Sequence, residues 1–287
     1  NLGVKGEHFE VLFSYISGGL VSYRIHDREL LKGMVRPNFW RAPTDNDRGN
    51  AMPYRYAQWK IASMYASNLY RGRGANDNNE YTVPEILEES PDSVTIRFTY
   101  MMPTSPESSC CLTYRVLTSG VVEVTLSYDS VKKLADMPEF GVILKMDADY
   151  DHLTWYGYGP EDTYADRMSG ARLGLFSSRV TDLPEYLVPQ ECSNHAGVRY
   201  AYVTDGREHG LAFFGKDLNI SALPYSPHEM ENALHPFELP QIHYTYVRVA
   251  MAQMGIGGDD SWGALTHPEY LIDTGGKLEF TFSLAGI

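Results

Sequence analysis

Two stretches of this 287-residue sequence gather side chains suited to acid–base chemistry. WYGYGPEDTYADR sets Glu161, Asp162 and Asp166 among aromatic rings, and PQECSNHAGVRY offers Glu191, His195 and Arg199. Paired carboxylates flanking a glycosidic bond are the working parts of glycoside hydrolysis. A base, an acid and a cationic anchor within one segment could act on an aldose. Structural roles compete with both readings. Glu161 and Asp162 are adjacent and would diverge on a strand, Asp166 beside Arg167 reads as a surface or interface pair, and a lone histidine near a strand start is more often a satisfied loop residue.

Two further stretches are dense in polar or turn-forming residues. NFWRAPTDNDRGN, residues 38–50, holds Arg41, Thr44, Asp45, Asn46, Asp47 and Arg48. Its alternating carboxylates resemble half of a calcium loop, but an EF-hand also needs glycine at its sixth position and glutamate at its twelfth. Counting from Asp45 puts Asn50 and Tyr56 there, so that reading fails. Asp45 and Asp47 tying down turn amides, with Arg41 paired internally, is the structural alternative. MGIGGDDSWG, residues 254–263, puts three glycines, Asp259 and Asp260 in front of Trp262. Glycine costs backbone entropy and aspartate favours turns, so Trp262 sits on or beside a loop. Its ring either folds back onto the body of the domain or stands ready for a ligand.

Other chemistries find little support. His228, His235 and His243 lie too far apart to suggest a metal site, and no nucleophile elbow, phosphate loop or dinucleotide fingerprint occurs. Cys110, Cys111 and Cys192 include an adjacent pair that would not bridge to itself and read as reduced thiols. A formal net charge of -13 argues against a nucleic-acid surface or an anionic membrane. The aromatic content of 13% suits both a pleated sheet and the stacking of rings on sugars. No apolar run approaches a membrane span. The first residue, Asn1, is not methionine, as expected of an excerpt from a longer polypeptide.

The elements that must position these groups are strands. Period-two alternation runs through HFEVLFSYISGGLVSYRIHD, with a turn at Ser17, Gly18 and Gly19, and through DSVTIRFTYMM. It continues in CLTYRVLTSGVVEVTLSYD, turning at Ser119 and Gly120, and in GVRYAYVTDGREHGLAFFGK, turning at Thr204, Asp205 and Gly206. IHYTYVRVAMAQM and KLEFTFSLAGI complete the set. Helical periodicity is confined to about residues 54–65 and to SPHEMENAL, where Ser226 caps, Pro227 takes the first position and Glu229 completes a capping box. RGRGANDNNE, residues 71–80, reads as an exposed loop. More than ten strands joined by short turns predict an all-β chain of antiparallel sheets packed face to face, as one large sandwich over residues 1–287.

Taken in order, FWRAPTDNDRG, YGYGPEDTYADR, PQECSNHAGVRY and MGIGGDDSWG resemble the C-terminal domain of the large β-galactosidases of glycoside hydrolase family 2, and the small chain of two-subunit β-galactosidases. The likeness covers nearly the whole chain. It implies a β-supersandwich of the galactose mutarotase-like type. It also implies that the acid/base and nucleophile glutamates lie on a TIM barrel outside this chain, so that no carboxylate here is catalytic. Trp262 matches the tryptophan that reaches into the active site and stacks on substrate. Residues 49–55, namely Gly49, Asn50, Ala51, Met52, Pro53, Tyr54 and Arg55, map to a loop at the rim of that site. The resemblance further implies barrel and sandwich domains as partners in the same chain or a large subunit, an oligomeric enzyme, and a β-galactoside such as lactose as substrate. It implies no cofactor on this domain, Mg2+ and Na+ belonging to the barrel, and a cytoplasmic setting with the periplasm as the alternative. Cys192 and Ser193 depart from the shorter, glycine-bearing connection expected of the family, which weakens any sugar contact by Glu191 or His195. A freestanding mutarotase-like epimerase using His195 with Glu191 or Glu161, and a carbohydrate-binding module, remain the competing readings.

Overall fold

A computed structural model describes residues 1–70, 80–81, 83–260 and 262–287; the stretch expected to form an exposed loop, 71–80, lies outside them except for Glu80. The chain opens with a small antiparallel sheet of β1 (Leu2–Lys5), β2 (Phe9–Ser14), β3 (Gly19–Ile25) and β4 (Arg28–Glu29). The β2–β3 turn closes at Gly18, whose φ of +86° suits glycine. After β5 (Arg36–Asn38) come the helices α1 (Asp45–Gly49), α2 (Met52–Arg55) and α3 (Ala57–Tyr65), then the short pair β6 (Leu69–Tyr70) and β7 (Glu80–Tyr81).

The body is a large antiparallel sheet. Its strands are β8 (Glu85–Glu89), β9 (Ser93–Met102), β10 (Ser108–Leu117), β11 (Val122–Tyr128), β12 (Glu139–Asp147), β13 (His152–Gly159), β14 (Arg172–Arg179), β15 (His195–Thr204) and β16 (Gly210–Leu223). Helix α4 (Pro227–Asn232) precedes β17 (Tyr244–Gln253) and β18 (Leu278–Gly286). The strands run β14-β13-β15-β16-β18-β11-β10-β9-β8, with β5, β12 and β17 joined through β16. The expectation of an all-β antiparallel fold therefore holds.

Strand β16 explains how one sheet becomes two layers. Its first half pairs with β18 from Leu211 to Phe214, and its second half pairs with β17 from Asn219 to Leu223. Between them Asp217 adopts φ +54°, and the facing strand β15 shifts register on both sides of Val198. Bulges of this kind bend a strand and let it serve two sheets. Alternation then fills the space between the branches: Val124 and Leu126 of β11, Phe282 of β18, Val142 and Leu144 of β12, and Val249 of β17 share one buried cluster. Phe13 of the small sheet joins it, 5.2 Å from the ring of Tyr114. No helix among the described residues is long and apolar enough to cross a membrane.

Two buried features set the tolerance of the β12–β17 ladder. A Cβ on Gly141 would lie 2.6 Å from the Cα of Ala250 and 2.7 Å from the carbonyl of Val249, both backbone. Beside it, the Arg248 guanidinium reaches Glu139 at 2.8 Å and Glu191 at 2.5 Å, and all three are almost sealed from solvent. Asn38 donates to the other oxygen of Glu139 at 2.5 Å, and Arg248 Nε donates to Ser221. Two carboxylates share one Arg248. Desolvation, partly offset by the charge of Arg248, pushes Glu139 up from 4.5 to about 7.

Gly141→Ala should lower stability by about 1–3 kcal/mol through overpacking against backbone, read from the denaturant midpoint. A second expectation concerns pH. Glu139 is raised on folding, so between 4.5 and about 7 the folded chain holds more protons than the unfolded one. Its contribution is therefore fully present at low pH and is lost as pH rises through that window. Glu139→Gln removes the titration and keeps an acceptor for Asn38. Denaturation curves of variant and wild type should diverge in the variant's favour between about pH 5 and about pH 8. A pH-independent difference would show that Glu139 does not titrate there.

Candidate functional site

The glycine-rich stretch around Trp262 is a loop tied down along its length. Gly255 donates to the Tyr270 carbonyl at 2.8 Å. Asp166 accepts from the amides of Ile256 and Gly257 at 3.0 and 2.7 Å. A Cβ on Gly255 would meet the Asp166 carboxylate at 2.5 Å and push it off the loop amides it holds. Beyond Ser261, which lies outside the described residues, Asp260 accepts from the amides of Trp262 and Ala264 at 2.8 and 3.2 Å. Gly263 takes φ +127°, close against the Gly49 carbonyl. The Trp262 side chain is 81% exposed. The aspartates thus shape the turn, the glycines permit close approach, and the indole faces solvent.

The segment 41–55 forms the other wall. Arg41 and Asp47, both with fully buried side chains, pair at 2.6 Å. Arg41 also donates to the Gly255 carbonyl at 3.1 Å, which fastens the loop to α1. Thr44 caps α1 by accepting from the Asp47 amide, and Asp47 accepts from the Thr44 amide in return. Asn46 and Asn50 both donate to the Ala264 carbonyl, at 3.2 and 3.3 Å. Trp262 and residues 49–55, far apart in sequence, are therefore neighbours in space.

Within that segment the side chains divide. Ala51 adopts φ +58°, and the Arg55 guanidinium folds back onto Asn50 and lies 4.5 Å from the Tyr56 ring centre. Met52 is fully buried, so its side chain belongs to the core and not to the surface of a rim; Tyr54 is 87% exposed. Pro53 sits in the first turn of α2, where its missing amide proton costs nothing.

Glu191 and His195 lie elsewhere and are enclosed. The Glu191 carboxylate is held by Arg248 and by the Tyr164 hydroxyl at 3.4 Å. The His195 ring stacks on Trp155 with centres 3.7 Å apart. Burial drives its pKa down to about 3, so the imidazole is neutral at physiological pH. Glu161 is exposed, whereas Asp162 pairs with Arg167 at 3.3 Å. The expected pairing of Asp166 with Arg167 is thus corrected: Asp162 takes the arginine, leaving Asp166 free to hold the loop amides. Arg199 lies 5.5 Å from the Tyr156 ring centre. Among the described residues no His, Cys, Asp and Glu cluster is placed to hold a metal ion.

Comparison with known proteins gives the family of the chain. The family model described as β-galactosidase small chain matches residues 5–284. A β-galactosidase of Halalkalibacterium halodurans is 39% identical over 99% of this chain, which spans 27% of that protein. A β-galactosidase of Streptococcus thermophilus is 35% identical, with the same two coverages. The β-galactosidase small subunit of Latilactobacillus sakei is 34% identical, over 99% of this chain and 95% of that one. Among solved structures, the chain is similar to a galactose mutarotase related enzyme from Lactobacillus acidophilus, with a TM-score of 0.47 and 10% identity over 100% and 97% of the two chains. It is also similar to an aldose epimerase homologue from C. elegans, with a TM-score of 0.41 and 9% identity over 99% and 96%. These structural likenesses concern the fold alone. The chain spans about a quarter of the length of the first two relatives and nearly all of the small subunit. With the model match running almost from end to end, the chain belongs to the β-galactosidase small-chain family.

Proposed function

We propose that residues 1–287 form one C-terminal, small-chain domain of a retaining β-galactosidase of glycoside hydrolase family 2, and that the domain completes the substrate site with Trp262. The assembled enzyme removes terminal β-galactose from substrates such as lactose through a galactosyl-enzyme intermediate. Both catalytic glutamates, and any Mg2+ or Na+, belong to a TIM barrel outside these residues. The barrel and sandwich domains are its partners, the enzyme is an oligomer, and its setting is the cytoplasm.

One observation carries the reading. A tryptophan that is 81% exposed stands on a loop whose flanks are fixed by Asp166, Asp260 and the buried Arg41. Exposing an indole forgoes the gain from burying it, while anchoring its loop keeps the ring in one place. That combination suits a platform for a neutral sugar ring. Gly49 and Asn50 lie against the same loop, at Gly263 and Ala264, and residues 49–55 form the rim in this reading. Nothing in the geometry favours an epimerase working through His195 and Glu191, since the imidazole lies under Trp155 and the carboxylate is bound to Arg248.

In the assembled enzyme, Trp262→Ala should weaken lactose binding more than galactose binding. By analogy with aromatic platforms for other flat ligands, the loss should be about 5- to 150-fold. Stability should barely move, because removing an exposed ring leaves no cavity. A large fall in melting temperature with unchanged discrimination would overturn the role of Trp262. This 287-residue chain alone should not hydrolyse a chromogenic β-galactoside. Turnover that disappears with Glu161→Gln or Glu191→Gln would place the catalytic carboxylates here and overturn the proposal.

A further inference from the structure

The outward face of β13, β14 and β15 carries a second feature, independent of the role proposed for Trp262. Strand register sets its side chains in rows. Ser177, Thr154 and Tyr202 lie side by side, and the next row is Leu175, Tyr156, Tyr200 and Phe214. The rows are two residues apart along the strands, roughly 7 Å. The Tyr156 and Tyr200 rings stack with centres 5.4 Å apart and planes 19° apart. Tyr200 meets Tyr202 at 5.6 Å, and Tyr202 meets Phe214 edge-on at 6.4 Å. Phe214 is 38% exposed. Tyr156, Tyr200 and Tyr202 are half-buried, with the Arg199 guanidinium 5.5 Å from the Tyr156 ring centre, so the run of rings is partly open to solvent.

The hydroxyl row borders a depression of about 830 Å3 that also takes in Thr204, Ser178 and the ring of Tyr202. The hydroxyls of Thr154, Ser177 and Thr204 make no hydrogen bond to another described residue. Most charges around it are answered in place, while Asp182 and Glu208 at its edge carry no ion pair among the described residues. Arg179 pairs with Asp151 at 3.3 Å, and Arg28 with Asp205 at 3.3 Å. Asp205 also accepts from the amides of Arg207 and His209. An anionic ligand would meet the carboxylates of Asp182 and Glu208 at the edge of the depression.

The ligand that fits is neutral, has a flat apolar face for the rings, and is edged with hydroxyls for the row beside them. A pyranose chain has this chemistry. We propose that the outer face of β13–β15 is a saccharide-binding site, separate from the Trp262 loop, that takes a neutral oligosaccharide along the Tyr202–Tyr200–Tyr156 row. It would hold the enzyme on a polymeric or branched carbohydrate while the reaction proceeds elsewhere.

The test uses the 287-residue chain carrying Trp262→Ala, titrated with a neutral galacto-oligosaccharide and followed by amide NMR shifts. Saturable shifts at Thr154, Ser177, Tyr202 and Thr204 are expected. Adding Tyr202→Ala should weaken binding about tenfold or more. Ser177→Glu, a substitution at an exposed position, should weaken it comparably and keeps the test valid if the tyrosine variant folds poorly. Absence of saturable binding in the Trp262→Ala chain overturns the proposal, as does binding indifferent to both face variants. Self-association through the same amides, abolished by Leu175→Glu, would assign the face to a protein contact and equally overturn it. None of these outcomes bears on the Trp262 platform.

Discussion

The candidate site depends on one buried guanidinium. Arg41 and Asp47 face each other at full burial, and Arg41 spends a further donor on the carbonyl of Gly255. Desolvating two charges is costly, and such pairs contribute little net stability compared with apolar residues of the same shape. Their value lies in what breaks without them. Removing Arg41 would strand Asp47 in a dry interior, a penalty of roughly 3–5 kcal/mol, and would release α1 and the Trp262 loop from each other. An ion pair in this position fixes geometry, because moving either segment would leave a buried charge without its partner. The Arg248 cluster works in the same way, clamping β12, β17 and the segment before β15 through Glu139 and Glu191.

Much of the architecture was legible from local pattern. Period-two alternation marked the main strands, and Gly18–Gly19 and Ser119–Gly120 marked the β2–β3 and β10–β11 turns, because both signals act over a few residues. The capping box at Ser226 and Glu229 was read correctly, and both reciprocal bonds are present. At Thr44 and Asp47 the expectation that Asp47 ties a turn amide and that Arg41 pairs internally is met, and the box they form starts α1 with aspartate where the usual pattern has glutamate or glutamine. The helical stretch expected from residue 54 begins instead as α2 and α3, broken where Tyr56 departs from helical geometry.

What the sequence concealed were partners distant along the chain. Asp166 and Arg167 are adjacent and of opposite charge, yet each bonds elsewhere, Asp166 to amides about ninety residues away. Nothing in the spacing of Glu191 shows that Arg248 will claim it. Likewise, the division of β16 between two layers is invisible in its composition, because pairing is decided by strands on either side of it. The exposure of Trp262 was half legible: glycines and aspartates announced a loop, but only the packing decides which way its ring points.

The position of the final strand has a consequence for how the fold is acquired. β18 lies between β16 and β11, so two long ladders share a strand formed by residues 278–286. Until those residues are available, both neighbours present bare edges, and exposed edges invite pairing with other chains. Val122 meets Leu284 across more than a hundred and sixty residues, a contact that carries a heavy loop-closure cost before it yields any gain. Closure of this layer during synthesis must therefore wait for residues 278–286 to leave the ribosome. The molecule gains a continuous sheet through the middle of its body, and until its last strand pairs, two edges stay open to other chains.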